Sequence, residues 1–318
     1  MFASVSQGSV QWHKPDGTLV STLSDGGYGY TTGSAFDSSG NLYVTNLSLS
    51  QVDKYDNTGS YLGTFGGGYS TPESILFDAA GHVYVGNLGG FVLKFAADGT
   101  QLASYATGRV DWMDLAADQC TLFFDEEGGA IHRYDVCADQ PLSDFSTEGG
   151  DYALRLLDDG GLLVADESQI DRLDAAGHVV QSYNTPTPQS GWFALNLDPD
   201  GTSFWSGSYG SGDVVRFDIV SGTVISSFNT NSGANSLYGL SVFGERTQAT
   251  QPNPCAVNGL AGPTIAKQVY DGYLTTAPVV KDPHASGPLS GQIETALSPT
   301  NPVGHEAACA VSLADDAG

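Results

Sequence analysis

Short apolar runs separated by Gly, Asp and Asn recur along most of the chain, and they come in four kinds in a fixed order. The first ends in an Asp-rich turn, as in SAFDSSG, SILFDAAG, LRLLDDG and LNLDPDG. The second follows at once: NLYVTN, HVYVGN, TLFFDE, GLLVAD, SFWSGS. The third alternates polar and apolar positions (VDKYDNTG, VLKFAADG, IDRLDAAG), and the fourth closes the unit (YLGTF, QLASY, VVQSY). Period-two alternation with β-branched and aromatic residues reads as strands. The Asp-x-x-Gly pieces, such as Asp198 to Gly201, suit tight turns, because Asp bonds its own backbone and Gly accepts positive φ. Four linked strands repeated in series are the signature of a propeller blade.

The third and fourth segments each occur six times, but the first pair, VQWHKPDGTLVSTL, has only FASVSQG before it. SLYGLSVFG, Ser236 to Gly244, reads as a first strand with no blade after it. One blade is therefore expected to combine the two ends of the domain, closing the ring and removing free edges. The fold class expected is all-β: a six-bladed β-propeller over residues 1–246, a linker at 247–258, and a small C-terminal β appendage at 259–318.

The units resemble NHL-type repeats, and NLYVTN contains the YVTN that names a related propeller repeat family. Propellers of this shape include sensors, adhesion modules, lactonases and lyases, so the resemblance implies a fold and no single function. The end of the chain, PTNPVGHEAACAVSLADDAG, resembles the closing strands of small Ig-like hyalin-repeat modules of extracellular bacterial proteins. Pro302, Val303 and Gly304 match their turn and Cys309 their strand cysteine. The resemblance implies a compact β-sandwich there; an extended tail is the alternative.

Four cysteines allow three pairings. Cys120 begins a second strand and Cys137 ends the third, nearly symmetric about the hairpin at Gly128 and Gly129. Opposed residues of an antiparallel pair lie within disulfide reach. The expected bridges are Cys120–Cys137 and, by elimination, Cys255–Cys309, which place the protein in an oxidising, secreted or cell-surface setting. The first twenty residues carry no charged start followed by an apolar core, so a trimmed mature form or a piece of a longer chain is expected.

Composition narrows the partners. Gly, at 41 residues, is about twice its usual share, which favours turns between short strands over helices. No apolar run approaches the roughly 20 residues that span a bilayer. Eleven Lys and Arg against 36 Asp and Glu give a net charge of -25, which leaves no basic patch for nucleic acid or anionic membranes. Partners of the extracellular protein or glycan kind fit better.

There is no Gly-x-Ser-x-Gly elbow, His-Glu-x-x-His, phosphate loop or paired-cysteine metal motif. His82 and His178 each follow a turn glycine and read as exposed strand starts. A lyase resembling the streptogramin-cleaving propellers would need a histidine at the central mouth, and none of the six is placed there. Candidate ligand-binding residues fall on the loops that ring that mouth. Entering the first strands are Glu73, Asp111, Trp112, Asp151, Tyr152, Trp192 and Tyr238. Asn46, Asn87, Asp125, Glu126 and Asp166 stand where second strands end. Carboxylate and amide oxygens suit a hard divalent cation such as calcium, and aromatic faces suit sugar rings or an organic cation. No cofactor is required by this reading.

A gluconolactonase-type lactonase, which this fold resembles, would hold a metal through a Glu, an Asn and an Asp of different blades. Glu73, Asn87 and Asp166 are the nearest matches, the last two less well placed. A non-catalytic exported binding or scaffold propeller is the favoured function; a metal-dependent lactonase or hydrolase is the alternative. Finally, Asp114 and Arg155 occupy first-strand positions where apolar residues are expected, on faces that meet between consecutive blades. An ion pair between them is expected.

Overall fold

The computed structural model of the chain describes residues 2–5, 9–24, 29–147, 151–185 and 191–249, all in one compact unit, Met1–Gln251. Most of the expected linker, the C-terminal module and the Cys255–Cys309 pair lie outside the described residues. Among the described residues there is no helix. Twenty-four strands form six four-stranded antiparallel sheets. One sheet takes its first strand, Leu237–Ser241, from the far end of the unit, paired with Phe2–Val5. The innermost strands Thr31–Phe36, Pro72–Phe77, Met113–Leu115, Asp151–Leu156, Trp192–Leu197 and Leu237–Ser241 touch one another in that order and back to the start. This ring of inner strands is the frame of a β-propeller.

The repeated FD-x-x-G turns explain themselves. The Asp37 carboxylate accepts the Ser39 and Asn41 N–H groups at 2.9 Å each, and Gly40 turns at φ 83°. Asp78 does the same for Ala80 and His82, with Gly81 at φ 82°. The side chain stands in for the next rung of the ladder, and only glycine takes that φ without strain. His82 is half-buried, its Nδ1 2.9 Å from Asp78.

Between sheets the core is aromatic and aliphatic. Tyr43, buried, meets Phe65 and Phe77 edge-on at 5.0 and 5.1 Å. Tyr183 meets Phe204 at 4.9 Å in another cluster. Edge-to-face geometry adds about 0.5–1.5 kcal/mol per pair to the burial itself. Cys120 and Cys137 are bridged, with Cα atoms 5.2 Å apart, just beyond the ends of the paired strands Thr121–Phe124 and Ile131–Asp135. That bridge is the one expected from the symmetry of the hairpin.

Arg155 and Asp114 sit between neighbouring sheets and act on each other through charge, but no hydrogen bond joins them as the expected pair. Arg155 Nε donates to Glu245 at 2.8 Å, and its guanidinium lies 5.6 Å from the Trp112 ring. Asp114 accepts two backbone N–H groups instead, Leu115 at 2.9 Å and Leu156 at 3.0 Å across the interface. Glu245, just past the last inner strand, supplies the carboxylate that Arg155 hydrogen-bonds, while Asp114 takes main-chain N–H groups and feels Arg155 through charge alone.

Candidate functional site

Each inner strand except Met113–Leu115 has a register shift near its start, where one residue goes unpaired, or two in Thr31–Phe36. The skipped positions lie between Thr31 and Ser34, Pro72 and Ser74, Asp151 and Ala153, Trp192 and Ala194, and opposite the Ser4–Val5 step. A β-bulge of this kind re-aims a side chain that a regular ladder would send into the sheet. The residues so placed include Thr32, Glu73, Tyr152, Phe193 and Tyr238, and all five line one cavity of about 450 Å³ at the entrance to the ring.

One wall of the cavity is aromatic. Tyr30 meets Tyr238 at 5.2 Å with ring planes 82° apart, and Phe193 meets Tyr238 at 6.0 Å and 86°. Tyr209 lies 5.2 Å from Tyr238, and Tyr152 lies 5.3 Å from Phe193. The rings thus form corners, not a flat platform. Burial, with Tyr209 and Tyr30 beside it, pushes the Tyr238 phenol up to about 12.

The other wall is polar. Carboxylate oxygens of Glu73, Asp111 and Glu127 all lie within 4.8 Å of one another. Arg109 closes on two of them: Nε and Nη2 donate to the two oxygens of buried Asp111 at 2.8 Å each, and Nη2 also donates to Glu127 at 2.7 Å. The fork-on-fork geometry is the strong form of this contact. Glu73 is held by its backbone. Its carbonyl accepts from the Thr32 and Thr45 hydroxyls of the next sheet at 2.9 Å each, and a Cβ on Gly33 would collide with that carbonyl. The Glu73 carboxyl, buried at 4% exposure, shares a hydrogen bond with the Asp111 carboxyl. Burial first, then the neighbouring Asp111, raises its pKa well above the ordinary range.

Of the residues expected at the mouth, the cavity gathers Glu73, Tyr152, Trp192 and Tyr238, with Asp111 behind them on Arg109. Others have different duties. Asn46 and Asn87 are fully buried and cap turns: Asn46 Oδ1 accepts Leu49 N–H at 3.1 Å, and Asn87 Oδ1 accepts Ser70 N–H at 2.9 Å. Asp125 Oδ1 takes Trp112 N–H at 3.0 Å and Asp166 Oδ1 takes Ser168 N–H at 3.4 Å. Second-strand ends are where the chain must reverse, so their side chains bind main chain. Trp112 is buried beneath Arg155, and Glu126 is exposed beside His132. The side chain of Asp151 lies outside the described residues. Arg109, Glu127, Phe193 and Tyr209 were not expected. Aligning the second residue of each inner strand would have found Phe193, since Glu73, Tyr152 and Tyr238 share its column.

A larger cavity of about 810 Å³ opens at the other end of the inner strands, beside Asp114, Arg155 and Glu245. Its charged groups satisfy one another. Glu245 accepts from Arg155, from Asn196 Nδ2 and from Leu197 N–H, each at 2.8 Å. The mouth, where five inner strands turn a side chain into one cavity beside a cluster of carboxyls, is the candidate site.

Neither a protein-family profile nor a curated protein sequence matches the chain. Solved structures do resemble it. A chain from a nidogen/laminin complex aligns at a TM-score of 0.60 and 16% identity, over 75% of this chain and 95% of that one. A catalytically inactive virginiamycin B lyase from Staphylococcus aureus, solved with quinupristin, aligns at 0.54 and 16%, over 72% and 84%. Identities so low show the β-propeller fold and nothing finer.

Proposed function

We propose that this is an exported, six-bladed binding propeller that takes its ligand at the mouth lined by Glu73, Tyr152, Phe193 and Tyr238, and does no chemistry on it. The observation that carries this reading is the repeated bulge, which turns a side chain from five separate inner strands toward one cavity. The ladder breaks at the same place in five of the six sheets. The Cys120–Cys137 bridge supports an extracellular setting. An extracellular protein or glycan is the class of partner, and the likeness to a chain of a nidogen/laminin complex fits at the level of fold.

The metal-dependent lactonase reading rests on the three carboxylates within 4.8 Å. Their number and spacing suit a divalent ion. Arg109 argues against it, because a guanidinium already neutralises Asp111 and Glu127 from the position a metal would need.

The test is a thermal-shift screen of sugars, amines and extracellular-matrix fragments on the wild-type protein and on Phe193→Ala. A mouth ligand at a hundred times its Kd stabilises the wild type by about 2.7 kcal/mol and the variant by much less. If every ligand found stabilises both proteins equally, the mouth is not the binding site.

A further inference from the structure

We infer that the group recognised at the mouth is an organic cation, an ammonium carried on a small molecule or on a lysine side chain. This rests on the reading of the mouth as the ligand site and adds the ligand's chemistry.

Two observations carry it. The aromatic wall is a set of corners: Tyr30 and Phe193 each stand nearly perpendicular to Tyr238, at 82° and 86°. Sugar rings stack on an open flat face, whereas a rounded cation is attracted to several ring faces at once. Next, the polar wall is rich in carboxyl groups. Glu73, Glu127 and Glu167 line the cavity, and its one guanidinium, Arg109, is spent on Asp111 and Glu127.

The field at the wall points the same way. Burial, then Glu167, Glu127 and Asp166, raises the Tyr152 phenol above its ordinary value. The whole chain, at net charge -25, attracts cations from a distance.

The experiment compares choline with dimethylbutanol, its uncharged carbon isostere, by calorimetry at fixed ionic strength, and adds a short peptide with one central trimethyllysine. The expected result is choline or the peptide binding at least about tenfold tighter than dimethylbutanol, with the contrast shrinking in Glu127→Gln. Binding of choline alone assigns a free small molecule; binding of the peptide alone assigns a protein side chain. Equal binding of choline and dimethylbutanol, both lost in Phe193→Ala, would overturn the cation and leave the mouth standing. Failure of both cations to bind up to roughly 10 mM would also overturn it. Neutral sugars tested on the same pair of proteins then decide the mouth itself.

Discussion

Arg109 is the residue on which the acidic wall depends, and its removal can be followed quantitatively. In Arg109→Leu the aliphatic stem survives but Asp111 loses both of its 2.8 Å contacts. The Asp111 side chain is 2% exposed, so solvent does not replace what is lost, and Glu73 and Glu127 stand beside it with no cation between. Removing one partner of a buried pair costs about 3–5 kcal/mol. Arg109 itself is 42% exposed, which lowers the figure to roughly 2–3 kcal/mol. At 2–4 °C per kcal/mol for a domain of this size, Tm falls by about 4–12 °C.

The same variant turns the wall into a cation site. With Arg109 gone, three carboxylates within 4.8 Å face one another. Millimolar calcium is therefore expected to raise the Tm of Arg109→Leu beyond a sodium chloride control of equal ionic strength, and to leave the wild type where the control leaves it. Asp111→Asn placed on Arg109→Leu removes a charge and recovers part of the loss, so the two substitutions couple by at least about 1 kcal/mol. A loss under about 0.5 kcal/mol in Arg109→Leu would refute the reasoning, since Asp111 would then need no counter-ion. A calcium-specific rise in the wild type would refute it differently, by showing that a metal and Arg109 share the site.

Other consequences follow from the same coordinates. Gly33→Ala drives a methyl into the Glu73 carbonyl; a loss of about 1–3 kcal/mol in chemical denaturation, together with weaker mouth binding, is expected, and unchanged binding would separate Glu73 from the site. Asp114, raised to about 6 from 3.8 by burial, keeps its proton in the folded protein over a range where the unfolded chain has lost it. Stability therefore falls as pH rises through that window, by about 3 kcal/mol in all. Asp114→Asn is expected to lose about 2 kcal/mol of that fall between pH 4.5 and pH 8, whatever constant cost its altered hydrogen bonds add; a parallel pH profile would sink the assignment. The double substitution of Cys120 and Cys137 by Ser opens a loop of sequence separation 17 and is expected to cost about 3 kcal/mol, read against the reduced wild type, which should match it.

The architecture was legible because every sheet solves the same local problem with the same residues. Asp37 and Asp78 each hold two main-chain N–H groups, and Gly40 and Gly81 each take positive φ. Such turns depend on four or five neighbouring residues, so their pattern survives in the order of the letters. The missing first strand before Phe2–Val5 was legible for a related reason: an edge left open in one sheet had to be met by a spare strand elsewhere, and Leu237–Ser241 meets it. The Cys120–Cys137 bridge needed only the hairpin between them.

The site was harder because its geometry lies in a departure from the repeat. A loop position at the end of a second strand looks polar and available in sequence, yet Asn46 and Asn87 turn inward to hold the main chain, as reversals demand. Residues that face the mouth include those the ladder skips, and a skipped residue has no marker of its own: Thr32, Glu73, Tyr152, Phe193 and Tyr238 share a column but not a residue type. Charge pairing misled for a different reason. Asp114 and Arg155 were matched because both are odd in a first strand, but a buried carboxylate can be satisfied by two amides, and a guanidinium takes whichever carboxylate packing brings nearest. Here that is Glu245, supplied by the turn after the strand that closes the ring. Arg155 is thereby bound to the last strand of the unit, and through Leu156 N–H its own strand is bound to Asp114. The two buried charges fasten three inner strands at the end of the ring opposite the mouth.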